Sequence, residues 1–382
     1  MTERECNSIK IMKKVLALRA LIFVLLIIVS IIAAGCSDGY QSAFRPPVGA
    51  RKAEMITVRD CAGRIVEVPV KVERIGCLYA FCGHVVAMLG KGENIVAVVE
   101  GLKRDKLLTQ MLPNIKEAAA PYTGGAVNLE ELIKADPDVV FIRGETARNK
   151  GEMEKLAKSG IPYLVVDYRN IEEQQYAIGL IGQVIGARTK AQRYNEYYQR
   201  CIERVQKDLK AVPANKRVRV YHSVNEATRT DARDTLPADW MQVAGANNVS
   251  VNQDLKLIGD KYFASLEQII LWDPAVILVN ESGVADYILN SRQWSSISAV
   301  KNRKVYQMPN GISRWGHPGS LETPMAILWT AKTLYPNLFS GLDMVSETKF
   351  FYKEFYNYDL PEELVRQILS GKGMRVSKES TR

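Results

Sequence analysis

Histidine is scarce in this chain, with only His84, His222 and His317 among 382 residues. There is no H-E-x-x-H motif, no P-loop, no G-x-G-x-x-G turn and no G-x-S-x-G elbow. Their absence removes the common zinc-protease, nucleotide-binding and serine-hydrolase readings. No spacing of carboxylates singles out an acid/base pair, so the chain reads as something other than an enzyme. Formal net charge is +9, yet no block of Lys and Arg concentrates it, which argues against a nucleic-acid footprint. The apolar run Leu21–Ala34 has 14 residues, short of the ~20 that a spanning helix requires. With 47% hydrophobic and 24% charged residues, the proportions are globular and exclude disorder, collagen-like structure and a polytopic membrane protein.

What is present begins at the N-terminus. Lys13, Lys14 and Arg19 precede the apolar run, and Ala33-Ala34-Gly35-Cys36 closes it. This order resembles a bacterial lipoprotein signal, with Ala33 where Leu is usual; Met12 resembles a start site at least as well as Met1. The resemblance implies that Cys36 is diacylated on sulfur, becomes the first residue and ties the protein to the membrane. An uncleaved anchor is the alternative, and either reading places the folded part outside the cytoplasm. Removing residues 1–35 takes away five Lys/Arg and two acids and leaves 46 against 40, or +6. That surplus suits an anionic ligand or membrane surface. Residues 37–53 are polar, with Pro46-Pro47, and read as a tether. Of six cysteines, Cys61, Cys77, Cys82 and Cys201 remain for the folded part; they allow three pairings, which sequence leaves open.

The most informative feature is an internal repeat. Leu129–Ile142 (LEELIKADPDVVFI) aligns without gaps to Leu266–Val279 (LEQIILWDPAVILV). Each copy predicts a short amphipathic helix, an Asp-Pro stop and an apolar strand. Strands apolar throughout suit a parallel sheet covered on both faces. A second helix–strand unit follows each copy, over 151–167 and over 294–309. Between them, 189–212 carries Tyr194, Tyr197, Tyr198, Cys201, Ile202, Val205 and Leu209 at helical spacing. It predicts a helix of ~36 Å at 1.5 Å per residue. The expected class is α/β, two Rossmann-like lobes joined by one long connector helix with a ligand cleft between them. The expected division is signal 1–35, tether 36–53, N-lobe 54–188, connector 189–213, C-lobe 214–344 and helical tail 345–382.

Together with the Asp60-x-x-Gly63-Arg64 hairpin and the closing Ala331-Lys-x-Leu-Tyr-Pro336 helix, this order resembles the cluster-A (class III) substrate-binding proteins of ABC transporters. The resemblance covers roughly residues 55–339. It implies a lipid-anchored monomer that captures a metal chelate, such as a ferric siderophore, haem or cobalamin, and passes it to an ABC permease and its ATPase. No resident cofactor is implied; the chelate is cargo, with iron the expected metal. A nickel or other metal-chelate receptor of the same fold is the alternative, and a chelatase-like tetrapyrrole enzyme or a metal-storing surface protein stands further off. The resemblance also implies that Glu130 and Glu267 dock to permease arginines.

Ligands of open α/β sheets sit beyond the carboxyl ends of the strands. Tyr79, Phe81, Cys82 and His84 follow one predicted strand, Arg143 and Tyr168 the next two, His222 another, and Arg314, Trp315 and His317 the last; Trp240 lies between strands. These are the expected cargo contacts. Imidazole and thiolate suit transition metals, arginine suits carboxylate or catecholate oxygens, and the rings suit a flat or bulky ligand. Cys82, at a helix start, is a candidate for an exposed thiolate.

Overall fold

The computed structural model describes residues 54–372, 374 and 375; the signal, the tether and Cys36 lie outside them. The chain opens with the hairpin β1 (Met55–Arg59) and β2 (Ile65–Pro69), paired antiparallel. Asp60 fixes its turn: Oδ1 accepts from the Ala62 and Arg64 amides, while Oδ2 accepts from Arg64 Nε and from the Val165 amide.

Strands β3 (Ile75–Cys77), β4 (Ile95–Val99), β5 (Ala119–Thr123), β6 (Ala126–Val127), β7 (Val139–Arg143) and β8 (Tyr163–Val166) form the N-lobe sheet. Their order is β6-β5-β4-β3-β7-β8, parallel except at β6. In the C-lobe, β9 (Val218–Ser223), β11 (Ala246–Asn248), β14 (Val276–Val279) and β15 (Val305–Gln307) form a parallel sheet in the order β11-β9-β14-β15. A small antiparallel flap joins β10 (Arg229–Thr230), β12 (Lys256–Ile258) and β13 (Lys261–Phe263).

The repeat is realised as two equivalent helices, Leu129–Ala135 and Leu266–Trp272. Asn128 and Ser265 cap them by accepting from the amides of Glu131 and Gln268, satisfying donors that the first turn leaves free. Both end on a left-handed aspartate, Asp136 (φ 47°) and Asp273 (φ 40°), and the prolines that follow prevent continuation. The second unit of the C-lobe departs from expectation. In place of one helix over 294–300 there is a 3-10 turn, Arg292–Trp294, and a single helical turn, Ser298–Lys301. Ser295 donates to the Arg292 carbonyl, and Ser298 donates through both its amide and hydroxyl to Asp273; such local bonds compete with a continuous helix.

The connector runs from Arg188 to Leu209 and buries the stripe the sequence marks, including Tyr194, Tyr197, Tyr198 and Cys201. It packs on helices Ile171–Val184 and Thr323–Leu334. The first of these was not anticipated. Asn170 caps it, and it buries a stripe with Ala177, Ile178 and Ile181. The tail forms helices Met344–Tyr356 and Glu362–Ser370, laid along connector and both lobes. Phe351 and Phe355 meet Tyr194 and Tyr197, Glu354 pairs with Arg193, Tyr352 bonds Glu322 of the C-lobe, and Gln110 of the N-lobe donates to Tyr358. Among the described residues no helix is long and apolar enough to cross a membrane.

Candidate functional site

Each sheet reverses its winding once. In the N-lobe the chain leaves β3 toward β4 on one side and β7 toward β8 on the other, which opens a crevice beyond the carboxyl ends of β3 and β7. Tyr79 follows β3, and Arg143 ends β7. In the C-lobe the reversal lies between β9 and β14, whose ends lead to Asn225 and Glu281. Asn280 accepts from the Asn225 amide, and the Arg314 guanidinium donates to both Asn225 and Glu281. Each lobe therefore sets one arginine at its own switch point. Burial lowers the Arg314 guanidinium to about 10, so it stays charged at neutral pH.

The segment from Gly311 to Glu322 carries Arg314 and His317 and is pinned from beneath. Glu322, fully buried, accepts from the Ser313 amide and hydroxyl and from Tyr352 Oη at 2.6 Å. Burial raises its pKa above the usual carboxylate value. A Cβ on Gly311 would lie 2.1 Å from both Glu322 Oε1 and Tyr352 Oη, so that close approach requires glycine.

His317 is the central group. Its Nδ1 accepts from the Gly319 amide at 3.0 Å. Desolvation, followed by the charges of Arg314, Arg229, Arg375 and Arg143, holds it well below the usual histidine pKa. The ring is therefore neutral, and with Nδ1 already an acceptor the proton belongs on Nε2. Across the cleft, the Tyr79 and Tyr168 hydroxyls lie 3.0 Å apart; burial pushes the Tyr79 phenol up to about 12 and Tyr168 well above its ordinary value, so both remain O–H donors. A Cβ on Gly319 would lie 3.5 Å from both His317 Nδ1 and Tyr79 Oη, which shows how closely the lobes meet.

Beside this group a cavity of about 340 Å³ opens between the lobes, lined by Arg143, Arg148, Asp167, Tyr168 and Arg169 from one lobe. The other lobe adds Arg229, Asp231, Asp234, Asp260, Lys261, Tyr262 and Pro318, among others. Arg143 also crosses to the flap, donating to Asp260 at 2.7 Å while holding Glu145 at 2.8 Å. Arg229 has no ion-pair or hydrogen-bond partner for its guanidinium among the described residues, and burial lowers its pKa. Five cations face four acids around the cavity, an excess of one, so the positive field is local and modest.

Of the predicted contacts, Arg143 and Tyr168 line this cavity; Tyr79 adjoins it through its bond to Tyr168, His317 lies next to the lining residue Pro318, and Arg314 stands three residues before His317. The others turn inward. Phe81, Cys82 and His84 lie on helix Ala80–Met88, eight of whose nine residues are buried. Phe81 and Cys82 belong to the core, and His84 Nε2 is spent on Asp105 at 2.9 Å. Burial raises the Cys82 thiol, which corrects the expectation of an exposed thiolate. Trp240 and Trp315 are fully buried core residues, and His222 is buried with Nδ1 on Asp231 at 2.7 Å. Cys61, Cys77, Cys82 and Cys201 are all free thiols. Arg229 and Asp260 were not anticipated. The flap has no counterpart in the repeat, and only the run of polar and glycine residues around Gly259 hints at a turn over the cleft. Glu130 and Glu267 are exposed on their paired helices.

Residues 75–311, well over half of the chain, match the family model described as periplasmic binding protein. The molybdate-binding protein MolA of Haemophilus influenzae is 29% identical over 328 residues, covering 78% of this chain and 90% of MolA. The iron(3+)-hydroxamate-binding protein YxeB of Bacillus subtilis is 22% identical, covering 77% and 89%. Among solved structures, MolA bound to molybdate superposes with a TM-score of 0.71 at 26% identity, over 80% of this chain and 99% of that one. Helicobacter pylori CeuE with nickel and histidine gives 0.66 at 21%, over 83% and 99%, a likeness of fold. Two parallel-sheet lobes, a cleft at their switch points and this match together place the chain in the periplasmic binding protein family: it is an extracytoplasmic substrate-binding protein of ABC importers, not an enzyme.

Proposed function

We propose that the cargo is a compact, oxygen-rich metal anion, for which molybdate is the simplest candidate and a small anionic metal chelate the next. The observation that carries this reading is His317. With Nδ1 engaged by the Gly319 amide, its Nε2 presents a proton, which suits an oxygen acceptor rather than direct ligation of a metal. Arg143, Arg229 and Arg314 add charge-assisted donors, and the Tyr79–Tyr168 pair, with one proton spent between the two oxygens, adds one hydroxyl donor. Among the described residues no three His, Cys, Asp or Glu side chains gather as metal ligands, so a cargo that carries its own ligands fits better than a bare cation. The cavity of about 340 Å³ is at the small end of the ~300–1,000 Å³ range of ligand pockets. Haem and cobalamin require the lobes to part further, and a highly charged chelate is poorly matched by an excess of one cation.

In this reading Cys36 carries the lipid that holds the receptor at the membrane, and Glu130 and Glu267 meet the permease. Both glutamates are without ion-pair partners among the described residues, and each is followed one turn later by an exposed isoleucine, Ile133 (50%) and Ile270 (36%). An acid beside an apolar anchor, repeated on both lobes, is the composition of a two-point docking face. The test is isothermal titration of the mature chain with molybdate, tungstate, sulfate, ferric citrate and nickel–histidine. One-to-one binding of molybdate or ferric citrate at micromolar or better supports the reading. Binding of nickel–histidine alone overturns it in favour of a cationic chelate.

A further inference from the structure

The flap sets a carboxylate against one of the arginines that line the cavity. Strands β12 and β13 pair from Lys256–Phe263 to Ile258–Lys261, leaving Gly259 and Asp260 as a two-residue loop. Gly259 (φ 62°) supplies the positive φ that such a loop requires at its first position. Leu257, Gly259, Asp260, Lys261 and Tyr262 all line the cavity of about 340 Å³, so the tip of this hairpin is one of its walls. The base of the flap is fastened to its own lobe, where the Val224 amide donates to the Arg229 carbonyl at 2.8 Å and Thr230 Oγ1 to the His222 carbonyl at 2.9 Å. The tip reaches the other lobe through one side chain: Asp260 Oδ2 accepts from Arg143 Nη2 at 2.7 Å. Among the described residues no other hydrogen bond or ion pair joins 256–263 to the N-lobe. Arg143 is set in place from its own side. Its Nη1 donates to Glu145 at 2.8 Å, and the guanidinium lies 5.7 Å from the centroid of the Tyr79 ring, a favourable place for a cation. Nη2 is thus the end left for a partner from across the cleft. The Arg143 and Asp260 side chains are 41% and 25% exposed, so water screens the pair and keeps it weak. A weak ion pair in the cavity wall is one that an incoming anion can break.

We propose that Asp260 is a specificity-determining residue of the cargo site: it holds on Arg143 Nη2 the position that an oxygen of the cargo takes, and an anion binds by displacing it. Because Asp260 is tethered to the cavity wall, it competes at an effective concentration of the order of millimolar. A monoanion such as nitrate offers Arg143 only the single charge that Asp260 already provides. A dianion that also meets Arg229, which lines the same cavity, offers more and wins the exchange. The flap carboxylate thereby keeps monoanions off the site. The inference rests on the reading of the cleft as an anion receptor.

The test compares the full mature chain with Asp260→Asn, Asp260→Glu and Arg229→Gln by titration with molybdate, with and without nitrate. Asn suits a hairpin loop as Asp does, so Asp260→Asn removes the charge and keeps the turn. Freeing Arg143 from a pair of this exposure should tighten molybdate roughly two- to sixfold in Asp260→Asn. Nitrate should then compete with molybdate in that variant and leave the parent unaffected. Asp260→Glu, which keeps the carboxylate, should behave as the parent does. If Asp260→Asn binds molybdate no more tightly than the parent while Arg229→Gln is weakened, Asp260 is no competitor; the inference fails and the anion reading stands. Equal indifference to nitrate in parent and Asp260→Asn would overturn the role in specificity. If neither the parent nor Asp260→Asn binds any anion, the reading of the cleft fails and takes this inference with it.

Discussion

Arg229 offers the most direct trial of the cleft. Arg143 is already committed to Glu145 and Asp260, and Arg314 to Glu281 and Asn225, so removing either one leaves a carboxylate facing the cargo and confuses two effects. Arg229 has no such partner among the described residues, and burial already lowers its pKa. The charges of Asp260, Glu226 and Asp231 offset its desolvation only in part until an anion arrives. A charge-assisted hydrogen bond contributes about 1.5–3 kcal/mol, which corresponds to roughly a 10- to 150-fold loss of affinity in Arg229→Gln. Stability should hardly change, since no internal bond is lost. Calorimetric titration with molybdate measures the first quantity and urea unfolding the second. Unchanged affinity would refute the placing of cargo between the arginines. A fall in stability matching the fall in affinity would show that Arg229 is structural after all.

Between pH 6.5 and 8 the affinity should be nearly flat, because His317 is held well below the usual histidine value and stays neutral; a steep change centred near 6.5 would mean an ordinary, titrating imidazole. Glu322 has a raised pKa, so its contribution to stability is complete at acid pH and is lost as pH rises through the folded-state value. Glu322→Gln should flatten that fall in denaturant titrations run from pH 4 upward. The double variant Glu130→Ala/Glu267→Ala should bind cargo as the parent does yet lose uptake in cells, and adding Ile133→Ala and Ile270→Ala should lower permease affinity further in a pull-down with the transporter; retained uptake in the double variant would exclude those helices from docking.

Much of the scaffold was legible because it rests on period and punctuation. The repeat Leu129–Ile142 and Leu266–Val279, with its Asp-Pro stops, specifies two parallel-sheet lobes, and the tyrosine stripe of 194–209 specifies the connector. The rule that ligands sit beyond strand ends pointed to Arg143 and Tyr168, which line the cavity. It could not tell which way a side chain turns once a helix begins. Phe81, Cys82 and His84 follow β3 soon after Tyr79 does, but they lie on a helix buried nearly all round. Trp240 and Trp315 went the same way, their large apolar surface being worth more in the core than at a wet cleft. Arg229 and Asp260 escaped notice for another reason. They reach the cleft from a flap whose placement depends on contacts distant in sequence, such as the 117-residue separation of Arg143 and Asp260.

The position of the tail helices, C-terminal to both lobes, also sets an order of events. Export through the membrane delivers the polypeptide N-terminus first, so both lobes and the connector emerge before residues 344–375. The aromatic seam of Phe351 and Phe355 on the connector, the Tyr352–Glu322 bond beneath the cleft loop and the Asp105–Arg375 pair can form only after that. Until then the loop carrying Arg314 and His317 is held by Glu322, Ser320 and bonds from Gln174 and Tyr194, but lacks the Tyr352 bond. The Tyr352 support of the cleft loop is thus added only after both lobes are on the side where the cargo is found.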